Sequence, residues 1–543
     1  MGFIFGPSKI TKRFYYIKHI LYVDSPEVTD GSPFRKRIRK IVPSHMLKIL
    51  STQQIKDLDA YTIQNKSVSS IDLMERACKA FVNWFVLRFD SSKEVGVVCG
   101  TGNNGGDGLG IARILSEWGF TVTVWVVRGP GEESSDFKIN LDRMHGKVTV
   151  HTFPEKPDAE IFSSCKVLID AIFGSGLTRQ VDGLYAAAIT AMNDAKATRV
   201  AVDIPSGLFA DRHSDGTIVK ANYTVSFQLP KLAFLLPENY DSVGDWYLVD
   251  IGLDKSFTKE CKTSYYYLTR KSARKLLTKT RPRFSHKGEY GHALLIAGSL
   301  GKMGAAVLAS RAALRSGLGL LTVHTPSAGN TVVQTSFPEA MVSVDPDENI
   351  FSKAPAADAY DAIGIGPGMG QAPATVAALQ EVLATGKPMV IDADALNILG
   401  ANRELMHLVP AGSILTPHPK EFERLVGPWK DDFERLEKQV ELAQKLKSII
   451  VLKGAHTSIA SPDGEVTFNC TGNPGMATGG TGDVLTGVLT GLLAQGYSPR
   501  DAAILGVYLH GLAGDMAERE MGVYSLIASD IVNSLPAAFK SFM

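Results

Sequence analysis

The feature that most constrains this chain is a pattern that runs through it twice: short apolar segments, each followed by a polar or glycine-rich turn and a helical stretch. Residues 94–99 read as a buried strand, 105–118 as a helix, and 121–127, 167–172 and 199–203 as further strands with Ala-rich helical stretches between them. The pattern restarts with strands at 292–297, 320–324, 362–365, 389–392, 414–416 and 449–453 and a helix at 303–316. Apolar strands alternating with helices form a parallel sheet covered on both faces. The basic, weakly apolar stretch 268–279 is read as the junction, and no repeat relates the two halves. The expected fold class is α/β in two different domains, residues 46–265 and 270–543.

Composition supports that reading. A chain of 543 residues exceeds the ~100–200 of one domain. Its 45% hydrophobic and 21% charged residues argue against disorder. A net charge of +1 leaves no global field to attract nucleic acid. The charge is uneven, however: residues 1–45 carry nine Lys/Arg and three Asp/Glu, including Arg35, Lys36, Arg37, Arg39 and Lys40. This arm lacks the apolar core and cleavage site of a secretory signal. The first 23 residues hold no acid, as in a mitochondrial presequence, but Ser and Arg are sparse there. The reading adopted is that Met46 is the natural start and that residues 1–45 lie outside the fold. Ser51 with Gln54 forms a capping box that opens a helix carrying Ile55, Leu58 and Ile63. Five cysteines without a C-x-x-C pair suit a reducing compartment, so the cytoplasm is expected and a zinc cluster is not. No apolar run approaches the ~20 residues of a membrane span, and neither membrane nor nucleic acid is expected as a partner.

Gly100-Thr-Gly102-Asn-Asn-Gly105 is a G-x-G-x-x-G turn between a strand and a helix, the place where a Rossmann-like doubly wound sheet offers helix N–H groups to a pyrophosphate. The second strand ends in Arg128 rather than in the acid that holds a ribose, so ordinary NAD dehydrogenase chemistry is not supported. Asp107, Asp170 and Asp203 stand in three polar, glycine-bearing loops at or next to strand ends. Any one of them could be a helix cap; three together indicate a site at the carboxyl edge of the sheet.

The strings CGTGNNGGDGLGIARIL, DAIFGSGLT and DIPSG resemble the YjeF N-terminal family, epimerases of hydrated NAD(P)H, over about residues 48–255. The resemblance implies that Asn103, Asn104, Gly105, Gly106 and Asp107 hold the hydrated dinucleotide together with Gly174, Ser175, Gly176, Leu177, Thr178, Arg179 and Gln180. It also implies a potassium ion (K+) on Asn104, Asp170 and Ser206, an all-oxygen set suited to a hard cation. Asp203 matches a substrate-contacting position and is the candidate proton shuttle. Arg179-Gln180 departs from the Arg-Pro of many members.

In the second half, the run from Gly472 to Asp483 precedes a long Leu/Val/Gly helix. An acid in a first helical turn is favoured by the dipole alone. A G-G-T-G-D string also has a mechanical reading: glycines wrap a phosphoryl group while the acid takes the proton of an attacking hydroxyl. The region resembles the ribokinase-like fold, and within it the ADP- or ATP-dependent NAD(P)H-hydrate dehydratases, over about residues 270–540. Supporting strings are HKGEYGHALLIAGSLGKMGAA, GIGPGMG, IDADALN, TPHPKEFERL and LKGAHT. The resemblance implies that Lys453, Gly454, Ala455, His456 and Thr457 bind the nucleotide. So do Gly472, Asn473, Pro474, Gly475, Met476, Ala477, Thr478, Gly479, Gly480 and Thr481, with Gly482 against its AMP part. Ala305, Gly370, His418 and Asp483 would line the hydrate pocket, with Asp483 as catalytic base. Asp392 and Asp394 fit either a Mg–phosphate shell or helix caps.

The function this implies is bifunctional repair: epimerisation of R and S hydrated NADH or NADPH, and dehydration of the S epimer at the expense of ADP (or ATP) with Mg2+. ADP is favoured, and a homo-oligomer is expected. Two alternatives stay open, a small-molecule kinase of the same fold and an N-terminal half that binds ligand without catalysis.

Overall fold

A computed structural model describes residues 46–129, 131–144 and 146–543, so the basic arm lies outside the described residues. The first domain is a seven-stranded, all-parallel sheet. Its spatial order is Thr149–Thr152, Val122–Val126, Val95–Cys99, Val167–Ala171, Thr198–Val202, Tyr223–Phe227 and Asp245–Val249. The order runs outward in both directions from Val95–Cys99 and Val167–Ala171. The topology therefore switches between those two strands, and a crevice opens beyond their carboxyl ends. Their register sets Val98 beside Asp170 and Cys99 beside Ala171, which fixes where the first glycine turn and the Asp170 loop meet.

Sequence reading located the central strands because they are continuous apolar runs. It missed Thr149–Thr152, whose residues are all exposed, and the outer strands Tyr223–Phe227 and Asp245–Val249. The expected capping box of Ser51 and Gln54 is present and opens the helix Thr52–Asn65.

The second domain is built on an eleven-stranded sheet. Strands Ile449–Leu452, Ile414–Leu415, Met389–Ile391, Ala362–Ile365, His292–Ile296, Leu320–Thr325 and Met341–Val344 run parallel in that spatial order. The antiparallel strands Ser458–Ala460 and Val466–Phe468 extend it beyond Ile449–Leu452. Four helices, Met303–Arg315, Thr481–Ala494, Pro499–Met521 and Ala528–Lys540, share the core of one face. Two of them approach closely: a Cβ added at Gly487 would lie 2.0 Å from the Ala309 carbonyl oxygen, and one at Gly491 would lie 2.6 Å from that of Ala313. These glycines let the Thr481–Ala494 helix lie against Met303–Arg315, and that packing places the Gly472–Asp483 loop over the carboxyl edge of the sheet.

The backbone just before the expected junction at 268–279 is sewn into the second domain. Tyr265–Tyr267 pairs with Val466–Phe468, Leu47–Lys48 pairs in turn with Tyr265–Tyr267, and Tyr267 is fully buried. Both chain segments that bracket the first domain are thus strands of the second sheet, with Leu47–Lys48 at its edge and Tyr265–Tyr267 next to it. The physical reason is an unpaired sheet edge, whose N–H and C=O groups take up the flanking backbone. Apolar residues of the first domain, Ile204, Leu208, Leu232 to Leu236 and Trp246, share one continuous core with Leu294, Ile363, Leu415 and Phe468 of the second. Among the described residues no helix is long and apolar enough to cross a membrane.

Candidate active sites

The first site forms at the switch point. Gly100 and Gly105 admit no side chain, since an added Cβ would sit 2.3 Å from the Ile172 carbonyl oxygen or 1.8 Å from that of Gly100. The turn therefore folds onto the neighbouring strand end, and Asn103–Glu117 begins there with its first N–H groups uncapped by any side chain. Asn103 is exposed, whereas Asn104, Gly105 and Gly106 are buried. The opposite rim is the 174–180 loop, with Gly176 and Thr178 to Gln180 exposed. Its Thr178 carbonyl accepts a hydrogen bond from Arg212. Of the sequence-derived residues, the two segments 103–107 and 174–180 do face one crevice: Gly174 lies against Asn104, with an added Cβ 3.4 Å from Asn104 Oδ1.

Asp203 sits at φ +66°, a left-handed conformation unusual outside glycine. This turns its carboxylate inward, where Lys231 Nζ donates to Oδ1 at 2.5 Å and the Phe227 N–H at 3.1 Å. The Ser226 hydroxyl is 3.3 Å from the same oxygen. Burial alone would push Asp203 up, but the Lys231 ammonium outweighs it and holds the carboxyl below its usual range. Two further acids face it. Burial and the charge of Asp203 push Asp59 up to about 6, and burial with Asp203, Asp59 and Asp136 pushes Asp107 well above the carboxylate range. Asp59 and Lys231 were missed in the sequence. Asp59 lies on the Thr52–Asn65 helix among other polar residues, and nothing marks it out. A signal for Lys231 was present: it is the single charge in the run Leu229–Pro237, and a lone charge inside an apolar run is buried only if paired.

Asp170 is fully buried at the end of its strand. Its Oδ1 accepts from the Ser206 hydroxyl at 2.6 Å and its Oδ2 from the Ser206 N–H at 2.7 Å, yet burial still pushes it up to about 6. Among the described residues no Lys or Arg is ion-paired with it. Asn104 Nδ2 is buried without a hydrogen-bond partner; turning the amide end for end would offer its oxygen instead. The Ser206 hydroxyl also contacts Phe173, which precedes Gly174 at the Asn104 contact. A buried, uncompensated carboxylate beside oxygen donors fits a hard monovalent cation.

The second site lies at the first turn of Thr481–Ala494. Gly480 takes φ +90°, which aims the helix N-terminus back across the sheet. Beneath the loop, Lys453 Nζ pairs with Asp392 Oδ1 at 2.9 Å and lies 3.8 Å from Glu421. The Thr486 hydroxyl donates to Asp392 Oδ2 at 2.7 Å. A Cβ at Gly482 would lie 3.4 Å from Lys453 Nζ and 3.7 Å from Asp392 Oδ2, so only a glycine leaves that space open. Asp483 has no hydrogen-bond partner among the described residues, and burial with the charge of Asp392 pushes it up to about 6 despite Lys453. It is an unengaged carboxyl at the mouth of an anion cradle.

Asp392 and Asp394 are not helix caps by side chain. Asp392 serves Lys453 and Thr486, while Asp394 accepts from the Gly370 N–H at 2.9 Å and from Gln371 at 3.1 Å, with Lys302 3.5 Å away. Gly370 is thereby fixed beside the acids, and Ala305 borders the same loop near Gly368. His418 caps its helix: Nδ1 accepts the Lys420 and Glu421 N–H groups at 3.1 and 3.2 Å. Its proton is therefore on Nε2, which lies 3.3 Å from Glu421 Oε1 on a half-exposed edge of the ring. The Gly472–Asp483 loop divides similarly. Gly472 and Asn473 are tied to Asp515, and Asn473 Oδ1 caps the turn at the Gly475 N–H. Gly479 and Gly454 face open space. Pro474, Ala477 and Ala455 are exposed around them, and Thr481 is held by its hydroxyl to the Thr478 carbonyl.

Residues 70–233 match the family described as YjeF-related protein N-terminus, and residues 293–537 match NAD(P)H-hydrate dehydratase. The bifunctional NAD(P)H-hydrate repair enzyme of Moorella thermoacetica is 36% identical over 516 residues, covering 91% of this chain and 97% of its own length. That of Escherichia coli is 34% identical, covering 86% and 88%. This chain belongs to that family. An ADP/ATP-dependent NAD(P)H-hydrate dehydratase from Bacillus subtilis, co-crystallised with ATP/Mg2+, is similar at 36% identity, covering 51% of this chain and 98% of its own, with a TM-score of 0.44. Asp59 falls outside both matched spans of the repair-enzyme domains, whereas Asp203, Lys231 and Asp483 fall inside them.

Proposed function

We propose that the chain restores hydrated NADH and NADPH in two steps at two sites, epimerising R and S hydrates in the first domain and dehydrating the S hydrate in the second. Hydration of the nicotinamide ring puts a hydroxyl beside the ring nitrogen and removes a double bond. In the second site Asp483, ionised above about pH 6, takes the proton of that hydroxyl as its oxygen attacks the terminal phosphoryl group of the nucleotide. The new phosphate ester leaves with its electron pair, pushed by the ring nitrogen, and loss of the neighbouring ring proton re-forms the double bond. Lys453, the 453–457 segment and the 477–482 loop hold the phosphates. Magnesium, when bound, neutralises charge on the transferred phosphoryl group. Asp392 and Asp394 are the carboxylates that could share it with the phosphates, the usual mode for Mg2+. The observation that carries this reading is the free, raised Asp483 carboxyl above the Lys453–Asp392 pair.

In the first domain Asp203 is the proton acceptor, kept ionised by Lys231. Asp107, pushed up, keeps its proton to higher pH, so one pocket holds carboxyl groups in opposite protonation states. The 103–107 and 174–180 segments hold the dinucleotide. Asn104, Asp170 and Ser206 would hold potassium, which supplies a fixed positive charge beneath the pocket. Asp170→Ala is then expected to abolish a potassium-dependent rise in Tm that sodium does not give, and to lower epimerase activity. A variant that keeps both the thermal response and full activity would remove the ion from this site. The nucleotide is tested by following the recovery of dihydronicotinamide absorbance from S hydrate with ADP and with ATP. ADP is expected to serve; nucleotide consumption with a phosphorylated product and no recovery would favour a kinase.

A further inference from the structure

The aromatic contacts at the domain boundary lead into the nucleotide segment. Trp246 lies on the last strand of the first sheet and is 1% exposed. Its ring centroid is 5.7 Å from Phe234, 5.4 Å from Tyr267 and 6.2 Å from His456, while Tyr267 and His456 are 6.4 Å apart. His456 is the fourth of the five residues of the 453–457 segment. From there its Nδ1 approaches the Asn469 carbonyl at 3.4 Å, and the Asn469 N–H donates to the Thr457 carbonyl at 2.9 Å. Asn469 in turn holds Thr471, the residue before the glycine loop, through Nδ2 at 2.9 Å to its carbonyl and 3.1 Å to its hydroxyl. The imidazole is thus linked to the start of the glycine loop through Asn469 and Thr471, and a tryptophan of the other domain packs against that imidazole.

We infer that Trp246 of the epimerase domain is a positioning residue for nucleotide binding in the dehydratase domain, acting through His456. Three features support this. The contact is aromatic on both sides, so it fixes ring orientation as well as filling volume. It lies beside the apolar core shared by the two domains, so Trp246 cannot move without the second sheet. Finally, Gly454 and Ala455 have little else to hold them: both are exposed, and an added Cβ at Gly454 meets nothing within 4 Å. The segment is anchored at its start by Lys453, whose N–H donates to the Pro417 carbonyl at 2.9 Å, and after Ala455 by His456 and by the Thr457 hydroxyl, which donates to the Gly454 carbonyl at 3.0 Å.

The inference rests on the proposed nucleotide role of 453–457, and the test separates the two. In the full chain, Trp246→Leu is expected to raise the KM for ADP about tenfold with kcat, the KM for S hydrate and the R/S epimerisation rate within a factor of two, and Trp246→Phe to restore most of the loss. His456→Leu is expected to raise the KM for ADP at least as much, and adding Trp246→Leu to it should change nothing further, the signature of two residues acting as one unit. If His456→Leu weakens ADP binding while Trp246→Leu does not, or if their effects multiply, the inference fails and the nucleotide reading stands. If neither substitution nor Lys453→Met alters ADP binding, the nucleotide reading itself fails. Should Trp246→Leu lose epimerisation as well, through loss of fold, the longer non-aromatic Trp246→Met and its double variant with His456→Leu decide by the same criterion.

Discussion

Asp483→Asn is expected to lower dehydration of the S hydrate by about a hundred- to ten-thousandfold, the range for loss of a positioned general base, and to leave R/S epimerisation at its full rate. The substitution preserves shape at a residue that makes no hydrogen bond among the described residues, so little stability is lost. In the unsubstituted chain the sign of the pH dependence follows from the same carboxyl. Pushed up to about 6 by burial and by Asp392, Asp483 is ionised above that pH and protonated below it. Dehydration should fall roughly tenfold per pH unit below about 6, and epimerisation should not follow that curve. Stopped assays of each half-reaction between pH 5 and 8 check both statements. Loss of both activities in the Asn variant would contradict two independent sites.

Lys231→Met carries the second large effect. It strands the Asp203 carboxylate in a site where Lys231 is 1% and Asp203 8% exposed. Removing one partner of such a buried pair costs about 3–5 kcal/mol, because the remaining charge is left without compensation. With the ammonium gone, burial dominates and the Asp203 pKa moves up, so the ionised acceptor is present only at higher pH. The acid limb of the epimerase profile should shift upward and the neutral-pH rate should fall, while dehydration of supplied S hydrate is unchanged. Linkage gives the stability its sign. A carboxyl held low in the folded state stabilises above its unfolded pKa, and that contribution is lost as pH falls through the folded value. Adding Asp203→Asn to Lys231→Met removes the stranded charge and should regain most of the stability without regaining epimerisation. An unshifted pH profile in Lys231→Met would mean that Asp203 is not the titrating acceptor.

The sequence and the structure agree where function leaves a local signature. The Gly100–Gly105 turn is legible because close backbone approach requires glycine at its two ends, and the Gly472–Asp483 loop is legible because its glycines supply a positive φ and leave space open. Central strands such as Val95–Cys99 are legible because both faces are buried. Asp59 was hidden because an acid on an amphipathic helix looks like any solvent-facing residue until the fold brings Asp203 and Asp107 against it. Lys231 was marked only as a lone charge in an apolar run, and its partner is 28 positions away. His418 shows the opposite case, where a residue implicated by resemblance has one ring nitrogen committed to capping its own helix. The strand Tyr265–Tyr267 beside the junction stretch 268–279 was not read, because its pairing with Val466–Phe468 is a long-range event that no local pattern reports.

The most direct test of the central claim starts from the R hydrate alone. With the purified chain, ADP, magnesium and potassium, dihydronicotinamide absorbance is expected to return in full, since epimerisation feeds the S hydrate to Asp483. Recovery from S hydrate but not from R hydrate would contradict the claim that this one chain carries both activities.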